Sequence, residues 1–299
     1  MKNQKNKAII SIILMTLVWG GTFPLIKIML KYISPMPLIF YRFLSAAVIC
    51  LPFLIRGIRK ASLKTILKLF FLGFLLWLAY ITQTIGLKYT TPSNSAFITG
   101  LYVVFTPIFA LFFTKEKMTK VMFFSLLLAF FGIILLSNFS FMKLSFNPGN
   151  LVTIVTAISC ALQIVFTSIF VKKESIVLIT SVQIFTVLFL TTPFMISNKT
   201  GNLPLWVILS IIFLGTVASF IAILAETYSL KFIDPDRASI LFTLEPLFAA
   251  IFSFIFIGER FALKEIFGST LIFIAMIMVI KNNKTAHQEL WLIGIYCLF

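Results

Sequence analysis

The sequence predicts an all-α polytopic membrane protein, with ten transmembrane helices in two inverted five-helix repeats. Three observations predict it. The 299-residue chain is 60% hydrophobic, only 11% charged and carries 36 Phe, more apolar surface than a soluble domain needs. Its apolar runs recur at the length of about 20 residues that crosses a bilayer core. The stretch 83–117 (QTIGLKYTTPSNSAFITGLYVVFTPIFALFFTKEK) also returns without a gap, 143 residues on, as 226–260 (ETYSLKFIDPDRASILFTLEPLFAAIFSFIFIGER). Thr84, Leu87, Lys88, Pro92, Leu101, Phe105, Ile108, Phe109, Phe113 and Glu116 are identical to their counterparts. Apolar helices resemble one another by chance, but the Leu-Lys-aromatic-x-x-Pro start and the terminal Glu-basic pair mark a duplication.

The expected spans are roughly 8–30, 36–55, 66–87, 93–114, 121–139, 150–171, 175–197, 204–227, 237–257 and 263–280. The first follows Lys2, Lys5 and Lys7 and offers no small-x-small cleavage site, so it reads as an uncleaved span. Pro37, Pro92, Pro148, Pro204 and Pro235 lie in or beside the connections, where a first-turn proline costs no hydrogen bond. Asp234 before Pro235 reads as a helix N-cap. The repeats are expected at 8–139 and 150–281, joined near Ser140–Asn150. A tail, 282–299, ends in ten apolar residues, too few to span.

With the N-terminus inside, cytoplasmic segments hold 17 of the 25 Lys and Arg, outer connections hold six, and Lys27 and Arg42 lie within spans. This bias places both termini in the cytoplasm. Five helices per half is an odd number, so the second copy enters the membrane upside down. Inverted repeats are a scaffold for alternating access, with the site near the midplane.

The net charge of +16 does not point to nucleic acid. The basic residues flank apolar segments instead of forming a stripe, and anionic lipid head groups are their expected partners. Cys50, Cys160 and Cys297 lack metal or disulfide spacing, and His287 is the only His. Without a nucleophile–base pair or a metal cluster, neither an enzyme nor a cofactor is expected.

Candidates for a translocation path are polar or aromatic groups that apolar packing would not select: Trp19, Phe23, Tyr41, Arg42, Tyr80, Gln83, Asn94, Thr99, Tyr102, Gln163, Gln183, Glu226 and Glu245. Each has a plainer alternative. Trp19 and Phe23 suit a core or lipid face. Glu226, near the cytoplasmic end of its expected span, suits a helix cap. Glu245 is harder to dismiss, because an acid at membrane depth is costly and Pro246 beside it frees a backbone carbonyl. It is expected about 12 Å in from Arg237, with Arg42 about 9 Å below the opposite surface. Either the two pair, or Glu245 faces water, meets a polar neighbour such as Gln163 or Tyr102, or carries a proton.

The segments WGGTFPLIK, Tyr41-Arg42-Phe43, LKYTTPSNSAFITGLYVVFTP and LKFIDPDRASILFTLEPLFAAIFSFIFIGER give the chain its resemblance to the EamA-type transporters of the drug/metabolite transporter superfamily. The resemblance covers nearly all of 8–281. It implies two inverted EamA units in the inner membrane and export or exchange of amino acids, other metabolites or drugs. Thr114-Lys115-Glu116-Lys117 departs from the family's Gly-Glu-basic motif, and the apolar tail lies outside its pattern. The expectation is a secondary transporter of a small organic metabolite, using no cofactor. A non-transporting scaffold or receptor and a multidrug exporter are the alternatives.

Overall fold

The computed structural model describes residues 2–114, 118–136, 148–195, 201–260 and 262–282, and every regular element among them is helical. Most of the Ser140–Asn150 link, Lys115, Glu116, Lys117 and the tail from residue 283 lie outside the described residues.

Eight stretches are long and apolar enough to cross a membrane: Asn3–Met29, Pro35–Ile58, Leu63–Tyr89, Pro92–Phe113, Pro148–Phe170, Ile176–Met195, Leu205–Leu230 and Pro235–Ile257. Two shorter apolar helices, Lys120–Leu135 and Ile266–Lys281, stand where the fifth and tenth spans are expected.

The unbroken helices are α1 (Lys2–Met29), α2 (Pro35–Ile58), α3 (Leu63–Tyr89), α6 (Lys120–Leu136), α7 (Pro148–Phe170), α8 (Ile176–Thr191) and α13 (Leu263–Asn282). Three of the long stretches are interrupted. The fourth breaks at Leu101 into α4 (Pro92–Gly100) and α5 (Tyr102–Phe113). The stretch from Pro235 breaks at Thr243 into α11 (Pro235–Phe242) and α12 (Leu244–Ile257). The stretch from Leu205 comprises α9 (Leu205–Gly215), a π-helical turn (Thr216–Ile221) and α10 (Ala222–Leu230).

Local chemistry sets the ends. Ser62 and Thr91 accept hydrogen bonds from the amides of Thr65 and Asn94, capping α3 and α4. Asp234 occupies the N-cap position of α11, but its side chain makes no capping bond and lies 3.9 Å from Arg237 Nε instead. Gly258, at φ 75°, ends α12 in the left-handed conformation that spares a residue without Cβ any strain.

Small residues let the helices approach closely, as apolar solvent requires when no hydrophobic force drives them together. A Cβ on Gly20 of α1 would stand 2.6 Å from Phe248 Cβ and 2.8 Å from the Ala249 amide nitrogen of α12. One on Gly86 of α3 would stand 2.9 Å from the Gly149 carbonyl of α7. One on Gly132 of α6 would stand 2.8 Å from the Gly268 carbonyl of α13. Thus α1 packs on α12, α3 on α7 and α6 on α13, while α2 packs on α8. Phe112, Leu205 and Phe267 are among the large apolar side chains left exposed around the outside, the pattern of a surface solvated by lipid.

Candidate functional site

At two of the interruptions a backbone carbonyl is taken up by side chains that line one cavity. Pro246 has no amide hydrogen, so the Phe242 carbonyl four residues earlier loses its helical donor. The Tyr102 hydroxyl takes that place, donating to Phe242 O at 2.8 Å. The π-turn similarly turns the Ala218 carbonyl outward. It accepts from Trp19 Nε1 at 2.9 Å and from Arg42 Nη2 at 3.1 Å.

The cavity has an empty volume of about 600 Å³, its open part included, and is lined from α1, α2, α3, α4, α5, α7, α10, α11 and α12. Neither α6 nor α13 contributes to it. Nine of the sequence candidates line it: Trp19, Arg42, Tyr80, Gln83, Thr99, Tyr102, Gln163, Glu226 and Glu245.

Arg42 is 3% exposed. Burying a guanidinium costs several kcal/mol unless it is well partnered. Its Nε donates to Ser219 Oγ at 2.7 Å, and Nη2 reaches Tyr80 Oη at 3.3 Å. Its charge stands 4.5 Å from the centre of the Tyr80 ring, a contact that contributes about 2 kcal/mol when desolvated. The expected ion pair with Glu245 does not form: among the described residues no carboxylate lies within 4.0 Å of Arg42. The carbonyl released by the π-turn and the Tyr80 ring hold the cation instead.

Opposite stands a second polar group. Gln163 Nε2 donates to Gln183 Oε1 at 3.0 Å and to Glu226 Oε2 at 3.4 Å. Glu226 therefore does not cap a helix at the cytoplasmic surface. It is buried, because its helix continues through Leu230 and a full turn separates it from the end. Gln183 sits one layer behind the wall, orienting Gln163. Glu245 Oε2 lies 3.3 Å from Tyr102 Oη. Thr99, 2% exposed, has an Oγ1 without a protein partner and lines the same cavity.

Three candidates stand elsewhere. Phe23 is buried in an apolar cluster with Ile26, Leu38 and Leu214. Tyr41 lines a separate groove with Leu44, Ser45 and Ile208. Asn94 lies in the first turn of α4, donating to Thr90 Oγ1 and Asn150 Oδ1. Thr22, another polar residue of the first span, also lines the cavity, and the structure adds wall residues absent from the sequence candidates, among them Thr156 and Cys160. Thr22 and Thr156, hydroxyls in mid-span, carry a weak signal; the apolar wall residues carry none.

Comparison with known proteins gives one consistent result. The EamA-like transporter family matches residues 6–138 and 147–281. An uncharacterized transporter of Archaeoglobus fulgidus is 31% identical over 267 residues, 89% of this chain and 83% of that protein. The uncharacterized transporter YyaM of Bacillus subtilis is 29% identical over 289 residues, 90% of this chain and 93% of that protein. One solved crystal structure superposes with a TM-score of 0.72 at 15% identity, covering 90% of this chain and 95% of its own. That last likeness concerns the fold alone.

Proposed function

Because the chain belongs to the EamA-like transporter family, a family of multi-pass membrane proteins, we propose that it is a secondary transporter of small organic metabolites such as amino acids. It exports or exchanges them by alternating access between two inverted repeats, 8–139 and 150–281, across the cytoplasmic membrane with both termini inside. The observation that carries this reading is the cavity, where charged and amide groups from early and late helices of the chain converge.

The packing supports the repeat. A shift of 143 residues carries α4 and α5 onto α11 and α12, and the two broken helices pack on each other as α4 on α12 and α5 on α11. Tyr102 and Glu245, equivalent under that shift, touch across it. A contact between equivalent positions is what a two-fold relation between the repeats would produce. Gln83 and Glu226, also equivalent, both line the cavity. The presence of Arg42 and two carboxylates in one cavity favours a charged or zwitterionic solute over an apolar drug. The thirteen sequence candidates divide accordingly: nine bear on the solute, Gln183 orients one of these, and Phe23, Tyr41 and Asn94 support the scaffold.

Counterflow in proteoliposomes tests the reading. Vesicles preloaded with unlabelled amino acids should take up labelled ones transiently above equilibrium, and Arg42→Gln vesicles should not. Equal uptake in protein-free vesicles would leave a scaffold or receptor as the better account. Single cysteines add the topology: in a Cys-free background Asn202→Cys should react with an impermeant thiol reagent outside intact cells, and Asn3→Cys should not.

A further inference from the structure

Glu245 lies about 15 Å along its span from Pro235 and about 18 Å from Ile257, at 1.5 Å per residue. It is 7% exposed, and among the described residues no cationic side chain lies within 4.0 Å of it. The groups around it are few. From α1 come Trp19 and Gly20, which do not titrate. Arg42 of α2 is engaged by Ser219, Ala218 and Tyr80. Tyr80, Cys160 and Glu226 share the cavity, and α4 offers the Thr99 hydroxyl. Asp236 and Arg237 lie at the start of α11, and Lys264 and Lys281 near the ends of α13, away from the middle of the span. Tyr102 is its one side-chain hydrogen-bond partner among the described residues.

A phenol carries one proton. That of Tyr102 is committed to Phe242 O, at 2.8 Å, the acceptor that Pro246 leaves without a helical donor. The longer contact, 3.3 Å from Tyr102 Oη to Glu245 Oε2, then joins two oxygens with no proton between them unless the carboxyl brings one. Two facing lone pairs, one on an unpaired ionised carboxylate away from water, would be strongly unfavourable. A carboxylic acid donating to Tyr102 Oη satisfies every atom.

We infer that Glu245 is a proton-binding site, occupied in this conformation, and that Tyr102 is its positioning residue. The chain of donation runs from the Glu245 carboxyl to Tyr102 Oη, and from the Tyr102 hydroxyl to the Phe242 carbonyl. Proton loss to water in the cavity leaves a carboxylate that accepts. The Tyr102 hydroxyl then turns its single proton to Glu245 and leaves Phe242 O bare, so the bridge from α5 to the break in the opposite helix is lost. Protonation at one side chain is thereby tied to the joint of a span. Glu226 is assigned no such proton here, since its partner Gln163 is an amide donor, which either form of a carboxyl accepts. The use of this proton in coupling rests on the transporter reading above; the site itself does not.

Infrared spectroscopy of the full chain in lipid nanodiscs at neutral pH tests it without any transported solute, so a failed counterflow assay leaves the result standing. A carbonyl band of a protonated, hydrogen-bonded carboxyl is expected, removed by Glu245→Gln and kept in Glu226→Gln. Tyr102→Phe should move that band to higher frequency, because the acid loses its acceptor. The proposal is overturned if Glu245→Gln removes ionised-carboxylate bands alone. Should that variant fail to fold, an unmoved protonated-carboxyl band in Tyr102→Phe overturns it equally.

Discussion

Two polar groups in the cavity differ in how they are held. On one side Arg42 is held by Tyr80, by Ser219 and by a carbonyl released from the π-turn. On the other, Gln163, Gln183 and Glu226 form a chain of amides and a carboxylate, with Glu245 beyond. The helix breaks differ too. Thr243 is followed by Glu245-Pro246, and Tyr102 from the opposite break supplies the missing donor. Leu101 breaks the first-half helix with no proline at the corresponding Val103. One cavity thus carries a cationic pole and an acidic pole, and the break at Thr243 is bridged by Tyr102 from another broken helix.

The largest expected effect tests the cationic pole. Arg42→Gln removes a buried charge whose hydrogen bonds are each worth about 1.5–3 kcal/mol, so counterflow should fall roughly 10- to 100-fold. An unchanged rate would mean that the poles play no part in the solute site. Next come the adjacent glycines of α1, where opposite signs are expected. Gly20→Ala drives a methyl into the Ala249 amide and the Glu245 carbonyl and should cost about 1–3 kcal/mol. Gly21→Ala meets only the Phe252 ring, at 3.4 Å, and should gain up to about 1 kcal/mol from helix propensity. Thermal midpoints in detergent would compare them, and equal shifts would deny the tight α1–α12 contact.

Gln163→Leu sharpens the comparison at the acidic pole. It strands Glu226 and the Gln183 oxygen together, a loss of about 1–3 kcal/mol, and adding Glu226→Gln should recover part of it. Additive losses in that pair would separate the two side chains. The smallest effect belongs to Lys27→Met. Lys27 Nζ donates to the carbonyls of Leu87, Lys88 and Thr90, closing the end of α3 in a half-exposed place, where about 1 kcal/mol is expected.

Much of this is legible in the sequence, for physical reasons. Apolar length marks spans, and a charged or amide side chain within one marks a polar interior, which is how Arg42, Gln163 and Glu245 stand out from the residue order alone. Pro246 announces a freed carbonyl, though not that Tyr102 would claim it. Phe23, Tyr41 and Asn94 share composition with the cavity wall but not its position, since which face of a helix turns inward depends on packing against helices far along the chain. The depth of Glu226 is hidden because boundary residues such as Thr227 and Leu230 are compatible with either side of a span end. The break at Leu101 has no proline at the position that corresponds to Pro246.

The π-turn at Thr216–Ile221 has a further consequence. Such a turn fits one residue more than an α-helical turn, and each residue of an α-helix advances the side chains by about 100°. The wider turn therefore takes up an extra residue without turning everything after it. α9 can keep Gly215 against α2, where a Cβ would collide with the Arg42 carbonyl, while α10 keeps Glu226 in the cavity wall. Deleting one residue between Thr216 and Ile221 would restore an even helix and leave Glu226 in the wall, whereas winding all the residues into an even α-helix would swing it by about 100°.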